Sequence, residues 1–336
     1  MARGKDAYGG GRRSAAAEAH LSERSRRRLE NAKAANTIKA YEADWRDFTD
    51  WCQHHEAAAL PAEPETIVNY LSDLADADEA VKANTVARRV TAISESHIAA
   101  GYDRERNPAK AGIVRAAVAA IRREKGTFQR GKAPILLETL SLLADGFSAD
   151  DLATKRDRAL ILLGFAGAFR RSELVRVEVK DLTFTPQGLV LFIPRAKGDQ
   201  LGKGSTIAIP YAPEPRICAV QAVRDWIEAA GLSDGPLFRP LTKAGTLRAV
   251  HLSDKSVALI VKKYAALAGL DPKDFAGHSL RRGFATSAAQ HDVDTLSIMR
   301  QTRHKSEKMV HRYIEQGNLF KENPLSRMFG DHPPRR

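Results

Sequence analysis

Ile38, Tyr41, Trp45, Phe48 and Cys52 recur at spacings of 3, 4, 3 and 4 residues. That period lines five side chains along one stripe of an α-helix, whereas a half-buried strand would alternate every second residue. Asn36 is the expected N-cap of this helix. Pro61 and Pro64 then punctuate the chain, and Ile67, Tyr70, Leu71 and Leu74 face a core again. After Asn84-Thr85, a further helix carries Val86, Val90, Ile93 and His97 on one side. Asn107-Pro108 breaks it, and Val114, Val118 and Ile121 mark the next. Four amphipathic helices with short connections predict a compact helical bundle over residues 36–125.

A chain of 336 residues is too long for one typical domain and comfortable for two. Residues 1–35 hold Gly9-Gly10-Gly11 and Arg24, Arg26, Arg27 and Arg28 but almost no core-forming side chains, and read as a basic arm that is disordered in isolation. Gly126, Gly131 and Pro134 predict an interdomain linker over 126–134. The second domain, 135–330, reads as mostly helical. Leu160–Leu163 belong to a buried helix, and 182–184, 189–193 and 206–209 are expected strands. Pro186-Gln187-Gly188 turns between the first two of these strands. Helices are expected at 218–230, 253–268, 279–290 and 308–316. The fold class is therefore mainly α with one small antiparallel β-sheet, arranged as a helical bundle followed by a mixed α/β domain.

Charge narrows the partner. Fifty-three Lys and Arg against 41 Asp and Glu leave +12, with an isoelectric point near 9.7. Such a balance suits a polyanion such as nucleic acid, although a solvated cationic surface has the same composition. Arg88 and Arg89 are expected on an exposed face of one bundle helix, and Arg115 and Arg122 on that of another. With Arg130 and Lys132 in the linker, they are the candidate DNA-backbone contacts. Cys52 and Cys218 form neither a metal-ligand spacing nor a disulfide framework, which fits a reducing cytoplasm. No cofactor and no metal is expected. The longest apolar run, 159–169, is far short of the ~20 residues a membrane span needs.

The chemistry-bearing residues lie in the second domain. His278 and Arg281, in Gly277-His278-Ser279-Leu280-Arg281, stand one turn apart on the same face if the segment is helical. Ser279 is the natural N-cap, which would set that face at a helix N-terminus favourable to phosphate. Arg170, in Phe169-Arg170-Arg171-Ser172-Glu173-Leu174, closes an apolar helix where a buried guanidinium demands an anion, and Glu173 is one candidate. Tyr313 follows His304 by nine residues. By itself Tyr313 reads as a half-buried packing residue between Val310 and Ile314. An unbroken helix would set His304 and Tyr313 on opposite faces, so a shared site requires a break, which Ser306 can supply as the cap of a new helix.

In this order the residues resemble the tyrosine recombinase (phage integrase) family. The resemblance runs from Asn36-Thr37 and Trp45 in the bundle to Tyr313. The match of Arg170-x-Ser172-Glu173-Leu174 implies that Arg170 is the phosphate arginine and Glu173 the residue that orients it. His278-x-x-Arg281, His304 and Tyr313 match the remaining motif. The family carries a catalytic lysine in the β-hairpin, where Lys197 fits better than Lys203. The resemblance implies a DNA breaking-rejoining catalytic domain behind a core-binding domain. Tyr313 would attack the scissile phosphate of double-stranded DNA to form a 3′-phosphotyrosine. Arg170 and Arg281 would neutralise the non-bridging oxygens, and Lys197 would protonate the departing 5′-oxygen. His278 would assist proton transfer at Tyr313, and His304 would hydrogen-bond the phosphate. Neither ATP nor metal would be needed. A homotetramer on DNA is implied, with residues 317–330 (Leu319, Phe320, Leu325, Met328 and Phe329 among them) apolar enough to dock on a neighbour or to fold back. Two departures stand out: Arg303 where many members have Gly, and Arg282-Gly283 in place of His-Thr or His-Ser. A non-catalytic helix-based DNA-binding regulator and a type IB topoisomerase are the rival readings.

Overall fold

The computed structural model describes residues 22–24, 35–77, 81–103, 105–128, 131–194, 203–317 and 324–329. The chain divides into two compact units, residues 1–130 and 131–336. The first is a bundle of α1 (Ala35–His54), α2 (Pro64–Asp76), α3 (Ala83–Ala99) and α4 (Gly112–Lys125). Trp45, Phe48, Cys52, Ile67, Tyr70, Leu71, Val86, Ile93, Val114 and Ile121 close its core. Burying a side chain such as Phe48 or Leu71 stabilises such a bundle by about 1.5–3 kcal/mol. Ile38 and Tyr41 stay half-buried, because the apolar stripe runs off the bundle at the first turns of α1. Asn36 does not cap this helix, which already includes Ala35.

His97 is fully buried, and both ring nitrogens are used: Nδ1 donates to the Ile93 carbonyl at 2.8 Å and Nε2 accepts from the Ala62 amide at 3.0 Å. Only the neutral ring can do both, and burial lowers its pKa. Asp44, also buried, receives both Nε and Nη2 of Arg88, at 2.7 and 2.9 Å. Arg89 is corrected from an exposed residue to a half-buried one. Its side chain is 15% exposed and bonds Asp47 and the Tyr70 hydroxyl. The two arginines tie α3 to α1 and α2, so their charge serves the bundle. Arg115, Arg122 and Lys132 are exposed, and Arg130 lies outside the described residues.

The second unit contains α5 (Leu137–Ala144), α6 (Leu152–Ala166), α7 (Arg171–Leu174), β1 (Leu182–Thr185), β2 (Gly188–Ile193), β3 (Ser205–Pro210), α8 (Ala219–Ala229), α9 (Asp254–Leu267), α10 (His278–Gln290), α11 (Thr295–Thr302), α12 (Glu307–Gly317) and α13 (Pro324–Phe329). The strands form one antiparallel sheet in the order β1-β2-β3, with Leu191 opposite both Leu182 and Ile207. The α6 helix is buried all round from Ala159 to Phe165, which explains why that stretch of its sequence shows no polar face. It packs against α8 and α10. A second, smaller core joins α10, α11 and α12 through Ala285, Ala289, Ile298, Val310 and Tyr313.

The unit begins earlier than the expected linker end. Lys132 Nζ donates to the Lys273 carbonyl, Ala133 N to Asp274 O at 2.8 Å, and Ile135 N to Ser279 O at 3.0 Å. Arg282 donates from Nη1 to the Lys132 carbonyl. Gly283 lets this segment approach α10 closely, since a Cβ there would stand 1.7 Å from the Ile135 carbonyl oxygen. The unusual Arg282-Gly283 pair therefore clamps the entering chain onto α10. Among the described residues no helix is long and apolar enough to cross a membrane, and no three His, Cys, Asp or Glu side chains could jointly hold a metal ion.

Candidate active site

Four short segments carry the motif residues: the corner after α6, the start of α10, the turn between α11 and α12, and α12. The α6 helix ends at Gly167-Ala168, where Ala168 adopts φ +46°. Gly167 has no Cβ because one would meet the Phe169 ring at 2.2 Å. Arg170 is the N-cap of α7, and Glu173, in the first turn, reaches back to it. The Arg170 amide donates to Glu173 Oε2 at 3.2 Å, and Nη1 to Oε1 at 2.6 Å. Burial alone would raise the Glu173 pKa. The hydrogen bond and charge of Arg170, with the charge of Arg303, outweigh it and hold the carboxyl below its ordinary value.

The α10 helix starts one residue before Ser279, with Gly277 as N-cap. Ser279 is thus not the cap. Its hydroxyl accepts from the Ala276 amide at 3.0 Å and tightens the turn leading into the helix. His278 and Arg281 nonetheless occupy the first turn, as the spacing required. Arg281 is fully buried. Its Nη1 donates to the Ala168 carbonyl at 2.8 Å, while Nε and Nη2 have no hydrogen-bond partner among the described residues. Burial, then the charges of Arg170 and Arg303, lower its pKa to about 9. A guanidinium held this way, with two buried donors unused, is strongly stabilised by an arriving anion.

The break between His304 and Tyr313 is present. The α11 helix stops at Thr302, Arg303 turns left-handed at φ +55° and ψ +42°, and α12 begins after Ser306. The break brings the His304 and Tyr313 ring centroids to 5.9 Å. Tyr313 is 7% exposed and packs with Val310 against α10, so its packing role and its place beside His304 coexist. Burial, then the charges of Arg281 and Arg170, push the His304 pKa down to about 3. His278 lies on the open side of the cluster. Partial desolvation and then the charges of Arg281, Arg282, Arg170 and Arg171 lower its pKa as well.

Arg303, the departure from the motif, is built into the cluster. Its side chain is 6% exposed and reaches Glu173 Oε2 at 3.3 Å, the Gly167 carbonyl at 2.9 Å and the Ala168 carbonyl at 3.2 Å. Its guanidinium sits over the Phe169 ring, 4.9 Å from the centroid. Glu173 is thus shared by Arg170 and Arg303, and Ala168 O by Arg281 and Arg303. The available signal was the strain itself: an arginine in a left-handed turn suggests that its side chain is needed. Lys197 lies outside the described residues; Lys203 is described and exposed.

The arrangement gathers Arg170, His278, Arg281, Arg303 and His304 into one cluster with Glu173 as the carboxylate among them, and Tyr313 stands beside His304. It can bind an anion, supply a phenol nucleophile and move protons. Residues 140–318 match the model of the phage integrase family. The integrase/recombinase xerD homolog of Selenomonas ruminantium is 68% identical to this chain, covering 92% of this chain and 90% of its own length. The Cre recombinase of Escherichia phage P1 is 25% identical, with 80% of each chain covered. Among solved structures, the XerH site-specific recombinase bound to palindromic difH substrate, a post-cleavage complex, superposes with a TM-score of 0.59. It is 15% identical over 91% of this chain and 84% of that one. The order of the motif, its assembly into one cluster and this kinship lead to one conclusion: the chain belongs to the phage integrase family and is a site-specific tyrosine recombinase.

Proposed function

We propose that this recombinase breaks and rejoins double-stranded DNA through a 3′-phosphotyrosine on Tyr313. The observation that carries the reading is the fully buried Arg281, with two unused donors, next to Arg170, His304 and the Tyr313 ring. A scissile phosphate is the anion that such a cluster suits. Arg170 and Arg281 grip the non-bridging oxygens, and Glu173 orients Arg170. Tyr313 Oη attacks phosphorus while His278 assists removal of its proton. Lys197 protonates the 5′-oxygen as the phosphorus–oxygen bond breaks. His304 contributes a hydrogen bond to the phosphate. A 5′-hydroxyl of the partner duplex then reverses the chemistry and completes the exchange.

Residues 36–125 act as the core-binding domain, with Arg115 and Arg122 on its exposed α4 surface as backbone contacts, and residues 131–330 as the catalytic domain. Assembly as a homotetramer on DNA uses the C-terminal segment. The exposure of Leu325 and Met328 on α13, 52% and 74%, supports a docking role. The buried guanidinium cluster separates this reading from a regulator, which has no use for it. A nicked suicide duplex carrying the recombination site provides the test. The native chain should yield a covalent protein–DNA adduct and Tyr313→Phe none. An adduct that survives Tyr313→Phe removes the nucleophile assignment.

A further inference from the structure

Thr302, the last residue of α11, is fully buried. Its hydroxyl oxygen lies 2.7 Å from the Ile298 carbonyl, one turn back, and 2.7 Å from His304 Nδ1; the Met299 carbonyl is at 3.4 Å. A hydroxyl owns one proton. A carbonyl has none to offer, and two oxygens at 2.7 Å without a proton between them repel. The Thr302 proton therefore goes to Ile298, the back-bond that a threonine readily makes within a helix. What remains for His304 is a lone pair, so the hydrogen of that contact belongs to Nδ1.

We propose that Thr302 is a positioning residue that holds His304 as the Nδ1–H tautomer and leaves Nε2, across the ring, as the bare nitrogen available to the site. This deepens the reading of His304 as a phosphate ligand and rests on it. The groups facing His304 reinforce the assignment. Arg281 and His278 on α10, Arg170 before α7 and Arg303 in the same turn all oppose a second proton on the ring, and the Tyr313 ring on α12 stands beside it. A bare Nε2 repels an anionic phosphate oxygen. The phosphate contact therefore forms together with uptake of one proton at Nε2, and the Nδ1–H bond to Thr302 is kept in the resulting imidazolium.

Nitrogen-15 NMR of the histidine-labelled full chain, without DNA at pH 7, tests this directly. The His304 resonances are assigned by their loss in His304→Asn. The expected spectrum has Nδ1 protonated and Nε2 bare; Nε2 protonated with Nδ1 bare overturns the proposal. Thr302→Ser, which keeps the hydroxyl, should preserve the Nδ1–H signature, whereas the near-isosteric Thr302→Val should lose it toward the other tautomer. An unchanged signature in Thr302→Val removes Thr302 as its cause. If the valine variant does not fold, the native and serine spectra still decide. Because the readout needs no cleavage, it fails or succeeds separately from the Tyr313 adduct.

Discussion

Replacing Arg303 by glycine sets two effects of opposite sign against each other. Glycine is free of the left-handed penalty, which costs an L-residue roughly 1–2 kcal/mol. Against that relief stand the bond to Glu173 at 3.3 Å, the bonds to the Gly167, Gln301 and Ala168 carbonyls and the stack on Phe169. Breaking a buried ion pair costs about 3–5 kcal/mol. The lower end applies because Glu173 keeps Arg170 and because removing one cation relieves Arg281. The expected net effect of Arg303→Gly is a destabilisation of about 2 kcal/mol. Arg303→Ala loses the same contacts but keeps a Cβ, and should be a further ~1 kcal/mol less stable. Hydrogen-exchange mass spectrometry of the α10 peptides, whose slowest amides report opening of the second unit, measures both variants. A glycine variant as stable as the native chain would show that the side-chain network contributes no more than the strain it maintains. Equal stability of the glycine and alanine variants would show that the turn is not strained.

Three further outcomes follow from the structure. Gly283→Ala gains about 1 kcal/mol of helix propensity, but its Cβ meets the Ile135 carbonyl oxygen at 1.7 Å. Overlap of a Cβ with a neighbouring backbone of this kind costs ~3 kcal/mol, so the thermal midpoint should fall; a rise would mean that the entering segment is not held against α10. The buried neutral His97 has a folded pKa below its ordinary 6.5. Stability of the first unit should therefore be constant above that value and decline as pH falls below it, because the unfolded chain takes the proton first. The slope should shrink in His97→Gln, and urea titrations across pH 7 to 5 would reveal its absence. Finally, burial and then the neighbouring cations lower His304; an incoming phosphodiester offsets the cations, so duplex binding near pH 6 should take up protons. Calorimetry in two buffers of different ionisation enthalpy measures that uptake, and buffer-independent heats would contradict it.

Much of this architecture was legible from spacing alone. The 3-4 pattern located the helices of the bundle to within a few residues, and the β1–β2 turn stood at Pro186-Gln187. Tyr313 and His304 could share a site only if the helix broke between them, and geometry alone demanded that break. The hydrogen-bond economy was not legible. Periodicity does not tell a solvated arginine from a paired one, so it places Arg89 outward although Asp47 and Tyr70 hold it. Ser279 has the composition of a cap but lies inside its helix. Arg303 looked like a departure from its family, and its contacts with residues more than a hundred positions away have no local signature.

The carbonyl of Ala168 accepts from both Arg281 and Arg303. Every residue type carries that oxygen, so no side-chain replacement at position 168 can delete the acceptor. Genetic change can reach it only through shape, by moving the peptide plane out of its φ +46° geometry. Position 168 is fully buried, so it should tolerate glycine and alanine, reject β-branched residues on backbone grounds, and reject larger or polar residues because no space or partner exists for them. A scan of substitutions for activity would thus identify this corner as an essential part of the site occupied by a residue with no chemistry of its own.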